Sequence, residues 1–518
     1  MRSTFMGLET AKRGMYTQQG ALYTTGHNIS NANTPGYTRQ RVNFAQTEPY
    51  PAPSMNRPQI PGQIGTGVEA GSIQRVRDSF LDTQYRGENN KLGYWDTKME
   101  AMKKMEEVMN EPSDSGLSKT MDMFWQSLQD LAVNPTNSGA RSVVRQRGIA
   151  VAETFNYLSS SLTSVRNDLK SELSVSETQV NSLTRQIDSI NKQIAEVEPH
   201  GYLPNDLYDE RDRLIDELSK QVTIKTSYQS NGGGSSPMAE GSVTITLVGK
   251  DGKNPVNLVD KSGAKELSLS FNGEQDTVDS VTIGGETIAI KDFLSKGEGK
   301  LRALVDTYGY VNEEGTAAGS YVSMLNELDS MAYEFAKAFN VQHQEGVSPE
   351  GIEDPSVKTP KFFQDANNPS ADLGTIDKAG FAQRIQIADE LSNLDLIATS
   401  GKDNPTFGDA SNILAMANII TTTKLPYGEK ESSFQGHFES LIGKMAVESQ
   451  ESVRLASNSH VLRSAVEERR MSVSGVSLDE EMTDMIKFQH AYNASARMIT
   501  LQDEMLDKII NGMGTVGR

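Results

Sequence analysis

Six histidines and one dense run of carboxylates are the residues of this chain whose types could do chemistry. A hydrolytic zinc site needs two histidines about one helical turn apart with a glutamate between them. His343, in NVQHQEG, and His437, in GHFES, have no second histidine one turn away. Each is expected to be a hydrogen-bonded structural group. The run DLYDERDRLIDEL could supply the paired carboxylates of sugar hydrolysis, but such a pair works in an aromatic-lined groove that nothing nearby supplies. It reads instead as a solvated helix face with i,i+4 pairs such as Asp209–Arg213. Glycines 62, 65 and 67 lack the dinucleotide spacing and follow prolines. There is no Walker lysine motif and no G-x-S-x-G elbow. With no cysteine, disulfides, thiolate metal sites and cysteine nucleophiles are excluded together. No catalytic, metal or cofactor-binding residue is nominated, and no enzyme is expected.

A formal charge of −19 argues against binding to nucleic acid or to an anionic membrane surface. No apolar run approaches the length of a membrane span, and no membrane insertion is expected. The first twenty residues lack the continuous apolar core of a cleavable secretory signal.

The informative features are therefore structural. NANTPGYTRQ, at 31–40, is a stop followed by an extended run. Asn31 and Asn33 tolerate the left-handed conformation that ends helices. Pro35 and Gly36 suit the two corners of a type II turn, with Tyr37 beyond it. Before the turn, Leu8, Met15, Leu22 and Ile29 fall at intervals of seven in a glycine-rich helix too weak to stand alone. At the other end Leu478, Met485, Tyr492, Ile499, Leu506 and Met513 repeat the same interval, with Met482, Ala496 and Ile510 on a second seam. Ser477 and Glu480 are spaced as a capping box. The two terminal helices are expected to pair and to supply the surfaces where copies pack.

Between them the spacing predicts a helical rod. Its longest helix starts near Ser138 and carries a coiled-coil stripe at Val180, Leu183, Ile187, Ile190, Ile194 and Val197. Residues 222–300 turn Ser-, Gly- and Thr-rich, with alternating strands and turn signals, and read as a β domain with its own core at the tip of the rod. The expected fold is mainly α with an inserted β domain (α+β), discontinuous and nested. Residues 1–65 with 472–518 form a terminal coiled-coil axial domain, and 66–221 with 301–344 and 406–471 form the rod. Residues 222–300 form the insert, and 345–405 a mixed β/loop segment attached to the rod or the insert.

LYTTGHNISNANTPGYTRQRVNF near one end and VSLDEEMTDMIKFQHAYNASARMITLQDEMLDKII near the other strongly resemble the paired terminal signatures of bacterial flagellar rod, hook and hook-associated proteins. GSIQRVRDSFLDTQYR, FWQSLQDLAVNPTNSGARSVVRQRG and NDLYDERDRLIDELS narrow the resemblance to the hook-associated members at the hook–filament junction. The resemblance implies a structural role: a ring of identical copies in the flagellar axis, on the hook protein and below a second junction protein. It implies passage through the flagellar type III export apparatus and a cytosolic export chaperone on the C-terminal helix. The implied location is the extracellular hook–filament junction, after a cytoplasmic stage. Two alternatives stand beside it: another axial polymer protein (hook, rod or second junction protein), and a flagellum-borne cell-wall hydrolase.

Overall fold

The computed structural model describes residues 5–51, 54–55, 62–110, 113, 116–247, 255–273, 275–295, 297–403, 405–427 and 430–512. Met513, Pro53, Pro58, Pro61 and the KDGK turn at 250–253 lie outside these residues. The longer helices run in the order α1 (Phe5–Ser30), α2 (Ser79–Met109), α3 (Leu117–Val133), α4 (Ser138–Val197), α5 (Asn205–Gln221), α6 (Lys300–Tyr308), α7 (Ser320–Glu345), α8 (Ser411–Thr421), α9 (Phe434–Ser474) and α10 (Leu478–Gly512). The fold is mainly helical with an inserted β region.

Helices α1 and α10 pair antiparallel. A methyl group added at Gly7 would stand 3.0 Å from Gln502, and one at Gly14 would stand 3.2 Å from Ser495 Oγ. Asn28 Nδ2 donates to Glu481 Oε2 at 3.0 Å. One register, stepping by seven, relates all three pairs, and the buried Ala21 falls on the same line. The line of closest approach is thus Gly7, Gly14, Ala21 and Asn28, one residue away from the expected apolar line. Small side chains let the backbones approach, while Leu8, Met15, Leu22, Ile29, Met485, Tyr492, Ile499 and Leu506 flank the contact half-buried. Leu478 and Ile510 are 48 % and 67 % exposed and do not enter the seam. In this register both lie beyond the ends of α1. Met482 is also exposed.

A two-stranded hairpin, β1 (Gln40–Gln46) and β2 (Val68–Arg75), follows the turn. Thr17 Oγ1 donates to Val68 O at 3.1 Å and docks α1 on β2. The rod then begins. Helices α2 and α9 run antiparallel, joined by Arg470 to Asp82 at 3.0 Å near one end and Ser449 Oγ to Glu106 at 2.9 Å near the other. The 60 residues of α4 make a rod roughly 90 Å long. Asn137 caps it, accepting from the N–H groups of Gly139 and Ala140. Its N-terminal half packs on α3 and α7, with α8 packed on those two in turn, around an aromatic cluster of Phe124, Phe335, Phe339, Phe362 and Phe363. In 345–405 the GFAQR stretch is partly helical. Ile385–Ile387, just after it, is a strand paired antiparallel with Phe363–Asp365.

The inserted strands form two sheets. The first holds β3 (Ile224–Gln229), β4 (Ser242–Leu247), β5 (Val256–Asp260) and β6 (Gly263–Ala264) in sequential antiparallel order. The second holds β7 (Leu267–Asn272), β8 (Thr277–Ile283) and β9 (Glu286–Ala289), and takes in β10 (Tyr310–Val311) and β11 (Ala317–Ala318) from beyond residue 300. The β core expected to be separate is instead shared with the rod. Asn191 exchanges both side-chain hydrogen bonds with the backbone of Val243, and Asn181 does the same with Leu267. Each asparagine stands in for a strand partner and fastens one sheet along α4. Val243, Ile245, Val259, Val278 and Val281 join the core of the rod. Correspondingly, Val180, Leu183, Ile187, Ile190 and Ile194 are buried under α5 and the two sheets, not against one coiled-coil partner. Val197 is half-buried at the helix end.

Candidate functional site

The turn after α1 sits where the terminal helix pair meets the rod. Tyr37 N donates to Thr34 O at 3.2 Å, and Gly36 takes φ +85°, the positive value a type II turn requires at its second corner. Asn31 and Asn33 do not adopt the left-handed conformation expected of them. Instead Asn31 closes the helix end with its side chain: Nδ2 donates to His27 O at 3.1 Å and Oδ1 accepts from Thr34 Oγ1 at 3.2 Å. Asn33 is exposed.

Asn28 is the centre of this corner. It is 1 % exposed, and its side chain makes all four of its hydrogen bonds. Oδ1 accepts from Gln40 N at 3.0 Å and from the Tyr37 hydroxyl at 2.8 Å. Nδ2 donates to Gln40 O at 2.8 Å and to Glu481 on α10. Having given its proton to Asn28, the Tyr37 oxygen accepts from His27 Nδ1–H at 3.0 Å. Burial, with Asp206, Asp209 and Glu481 nearby, pushes the Tyr37 hydroxyl well above the usual phenol range.

Arg39 clamps the corner to both neighbours. Its N–H donates to Ser474 O at the end of α9, and its carbonyl accepts from Val76 N. Its guanidinium reaches Glu481 at 2.7 Å and Glu480 at 2.6 Å. Glu480 therefore serves this contact, whereas its spacing from Ser477 suggested a capping box.

Behind the corner lies a buried cluster of charges. Arg75 meets Asp209 at 2.7 Å, Asp212 at 3.0 Å and Glu240. Arg77 meets Asp82 at 2.6 Å and Asp212 at 3.0 Å. Arg86 meets Asp212 at 3.0 Å and Asp216 at 2.8 Å. Arg470 reaches Asp82 and Asp216 at 3.0 and 2.7 Å. Burial raises Asp212, but Arg77, Arg75 and Arg86 outweigh it and hold that carboxyl well below the usual range. Burial wins at Asp209, which is raised despite Arg75 and the Thr38 N–H. The carboxylates of α5 are thus not a solvated face. Arg213 pairs with Glu210 and Glu217, while Asp209 turns inward to Arg75.

Chemically this cluster does one thing: it fixes β2, α2, α5 and α9 to one another, and through Arg39 it fixes the terminal pair to the rod. Its carboxylates are occupied by guanidinium groups, and among the described residues no group of acidic or histidine side chains is arranged to hold a metal ion. Among the same residues no helix is long and apolar enough to cross a membrane. His343 is fully buried. Nδ1 faces Pro360 O at 2.9 Å, and Nε2 accepts from Ala398 N at 3.0 Å, so the neutral ring carries its proton on Nδ1. His437 pairs with Glu327 at 3.0 Å and stacks on Tyr427.

Sequence reasoning missed the arginines and Asn28. One signal was there: Arg75 and Arg77 are two apart in an extended run, so both face one side and need a shared acidic partner. Asn28 also continues the spacing of Gly7, Gly14 and Ala21.

Comparison with known proteins bears on both ends and the middle. Residues 8–38 match the family model "Flagella basal body rod protein", and residues 468–512 match "Flagellar basal body rod FlgEFG protein C-terminal". The chain is a flagellar axial protein, a structural component and not an enzyme. Residues 102–355 match "Flagellar hook-associated protein FlgK helical domain". Flagellar hook-associated protein 1 of Bacillus subtilis strain 168 is 46 % identical over 520 residues, covering 100 % of both chains. That of Escherichia coli K12 is 24 % identical over 575 residues, covering 97 % of this chain and 99 % of the other. The flagellar hook junction protein FlgK from Burkholderia pseudomallei shares the fold, with a TM-score of 0.59 at 13 % identity, covering 76 % of this chain and 100 % of that one. The chain belongs to the flagellar hook-associated protein 1 family.

Proposed function

We propose that copies of this chain form one axial layer at the junction of hook and filament, on which filament growth depends. The observation that carries this reading is the incomplete α1–α10 pair. Met15, Leu22, Met485, Tyr492, Ile499 and Leu506 stay half-exposed along the seam. A single copy leaves that apolar surface in water, and a layer of copies covers it. Residues 1–65 with 472–518 then act as the axial unit. Residues 66–221, 301–344 and 406–471 act as the outward rod, and 222–300 and 345–405 stiffen it.

The partners in this reading are the hook protein below and a second junction protein above. Before export an export chaperone covers the apolar residues Met498, Leu501, Met505 and Ile509 of α10, which are exposed here. The chain leaves the cytoplasm through the flagellar type III apparatus and ends outside the cell. Immunogold labelling of isolated flagella tests this. Label confined to the hook–filament boundary is expected, and label along the hook or the whole filament would refute the junction assignment.

A further inference from the structure

A groove of 740 Å³ opens between α1, α10 and the approach to β2, lined by Gly7, Ala11, Gly14, Gln18, Gly65 and Ser495 among others. It continues the established α1–α10 contact, since Gly7, Gly14 and Ser495 belong to both. Its small side chains leave room that this chain does not fill. In its wall Gln18 Oε1 is buried with no hydrogen-bond donor. A buried acceptor left unpaired is costly, so it points to a donor from outside the chain.

The opposite side of α1 carries the complement. Tyr16 and Tyr23 are 57 % and 71 % exposed, and Phe5 is exposed with them. At about 100° per residue the three fall on one line, on the far side of the helix from Gly7 and Gly14. Lys12 lies over the Tyr16 ring. The Tyr23 oxygen accepts from Gln19 Nε2 at 3.2 Å, which leaves its own proton to give.

We propose that neighbouring copies pack head to tail through these two faces: the aromatic line of one α1 seats in the groove of the next copy, and a tyrosine O–H donates to Gln18 Oε1. The two faces of one copy differ, so the contact is heterologous, and repetition by rotation closes a ring or winds a helix. Copies at equal height bring Tyr16 within about 3 Å of the level of Gln18, two residues at 1.5 Å each. This packing rests on the axial function proposed above and specifies which surfaces meet.

The absence of cysteine makes the test clean. Full-length chains carrying Tyr16→Cys with Gln18→Cys, or Tyr16→Cys with Gly65→Cys, are produced in cells lacking the native copy, and isolated flagella are oxidised. Nothing stands within 4 Å of a methyl group placed at Gly65, so that site accepts a side chain. The two cysteines of the first pair face opposite sides of α1 and cannot join within a chain. At least one pair is expected to give a ladder of linked multimers, while each single variant stays monomeric. A dimer from Tyr16→Cys alone would show an isologous contact and overturn the proposal. So would the absence of any ladder from both pairs with the chain present at the junction. Absence of the unsubstituted chain from the hook–filament boundary would instead overturn the function on which the packing rests.

Discussion

Replacing Asp212 with Asn keeps the shape of the side chain and removes its charge. Asp212 is 2 % exposed and lies 3.0 Å from each of Arg75, Arg77 and Arg86. Those guanidinium groups have other partners, so none is left bare, but one negative charge leaves a dry cluster. Removing one partner of a buried pair costs about 3–5 kcal/mol. Asp209, Asp216, Asp82 and Glu240 retain part of the compensation, which puts Asp212→Asn at the lower end, about 3 kcal/mol. The same change at Glu210, whose pair with Arg213 on the same helix is exposed, costs below about 1 kcal/mol. Urea unfolding of the purified full-length chain, followed by far-ultraviolet circular dichroism, compares the two midpoints. Asp212→Asn is expected to lower the midpoint several-fold more than Glu210→Gln. Equal midpoints for the two variants would refute the view that this cluster is a buried structural lock.

Two further predictions follow from burial. His343 is held neutral, its pKa pushed down to about 4 by burial. Below pH 6.5 the unfolded chain takes up a proton that the native state refuses until about 4, so this contribution falls as pH drops through that window and is fully present above it. The loss amounts to about 3 kcal/mol by pH 4, and His343→Gln is expected to flatten that part of the stability–pH curve; an unchanged slope in the variant would contradict it. Replacing residues 231–298 with a short Gly/Ser linker uncovers Val180–Ile194 of α4, so the rod is expected to become protease-sensitive and to melt lower, and a rod of unchanged melting temperature would show that the insert has its own core.

What the sequence made legible was local. Asn137 before Ser138 and the acidic first turn of α10 mark helix starts by short-range hydrogen bonding and dipole effects. Gly36 declares its positive φ by type. The corner and its cluster were hidden because their partners are distant in the chain: Asn28 meets Glu481, and Arg86 meets Asp216. On a helix net, DLYDERDRLIDEL has the look of solvent-facing charge, and only the arginines of other elements bury it. The insert misled for a related reason. Asn181 and Asn191 are the points where the sheets attach to α4, and their partners, Leu267 and Val243, are distant in the chain. Glycine in α1 signalled weakness by propensity, whereas Gly7 and Gly14 serve close approach to α10.

The central claim is that the half-buried flank of the α1–α10 pair is where copies meet in the axis. Ile499→Asp tests it most directly, because a carboxylate at a half-exposed position is tolerated in the free chain but costs several kcal/mol once neighbours cover it. Cells whose only copy carries this change are examined by electron microscopy, with secretion of the variant into the medium measured alongside. The expected result is a secreted chain with an intact rod, hooks without filaments, and flagellin in the medium. Filaments of native length and number would contradict the account.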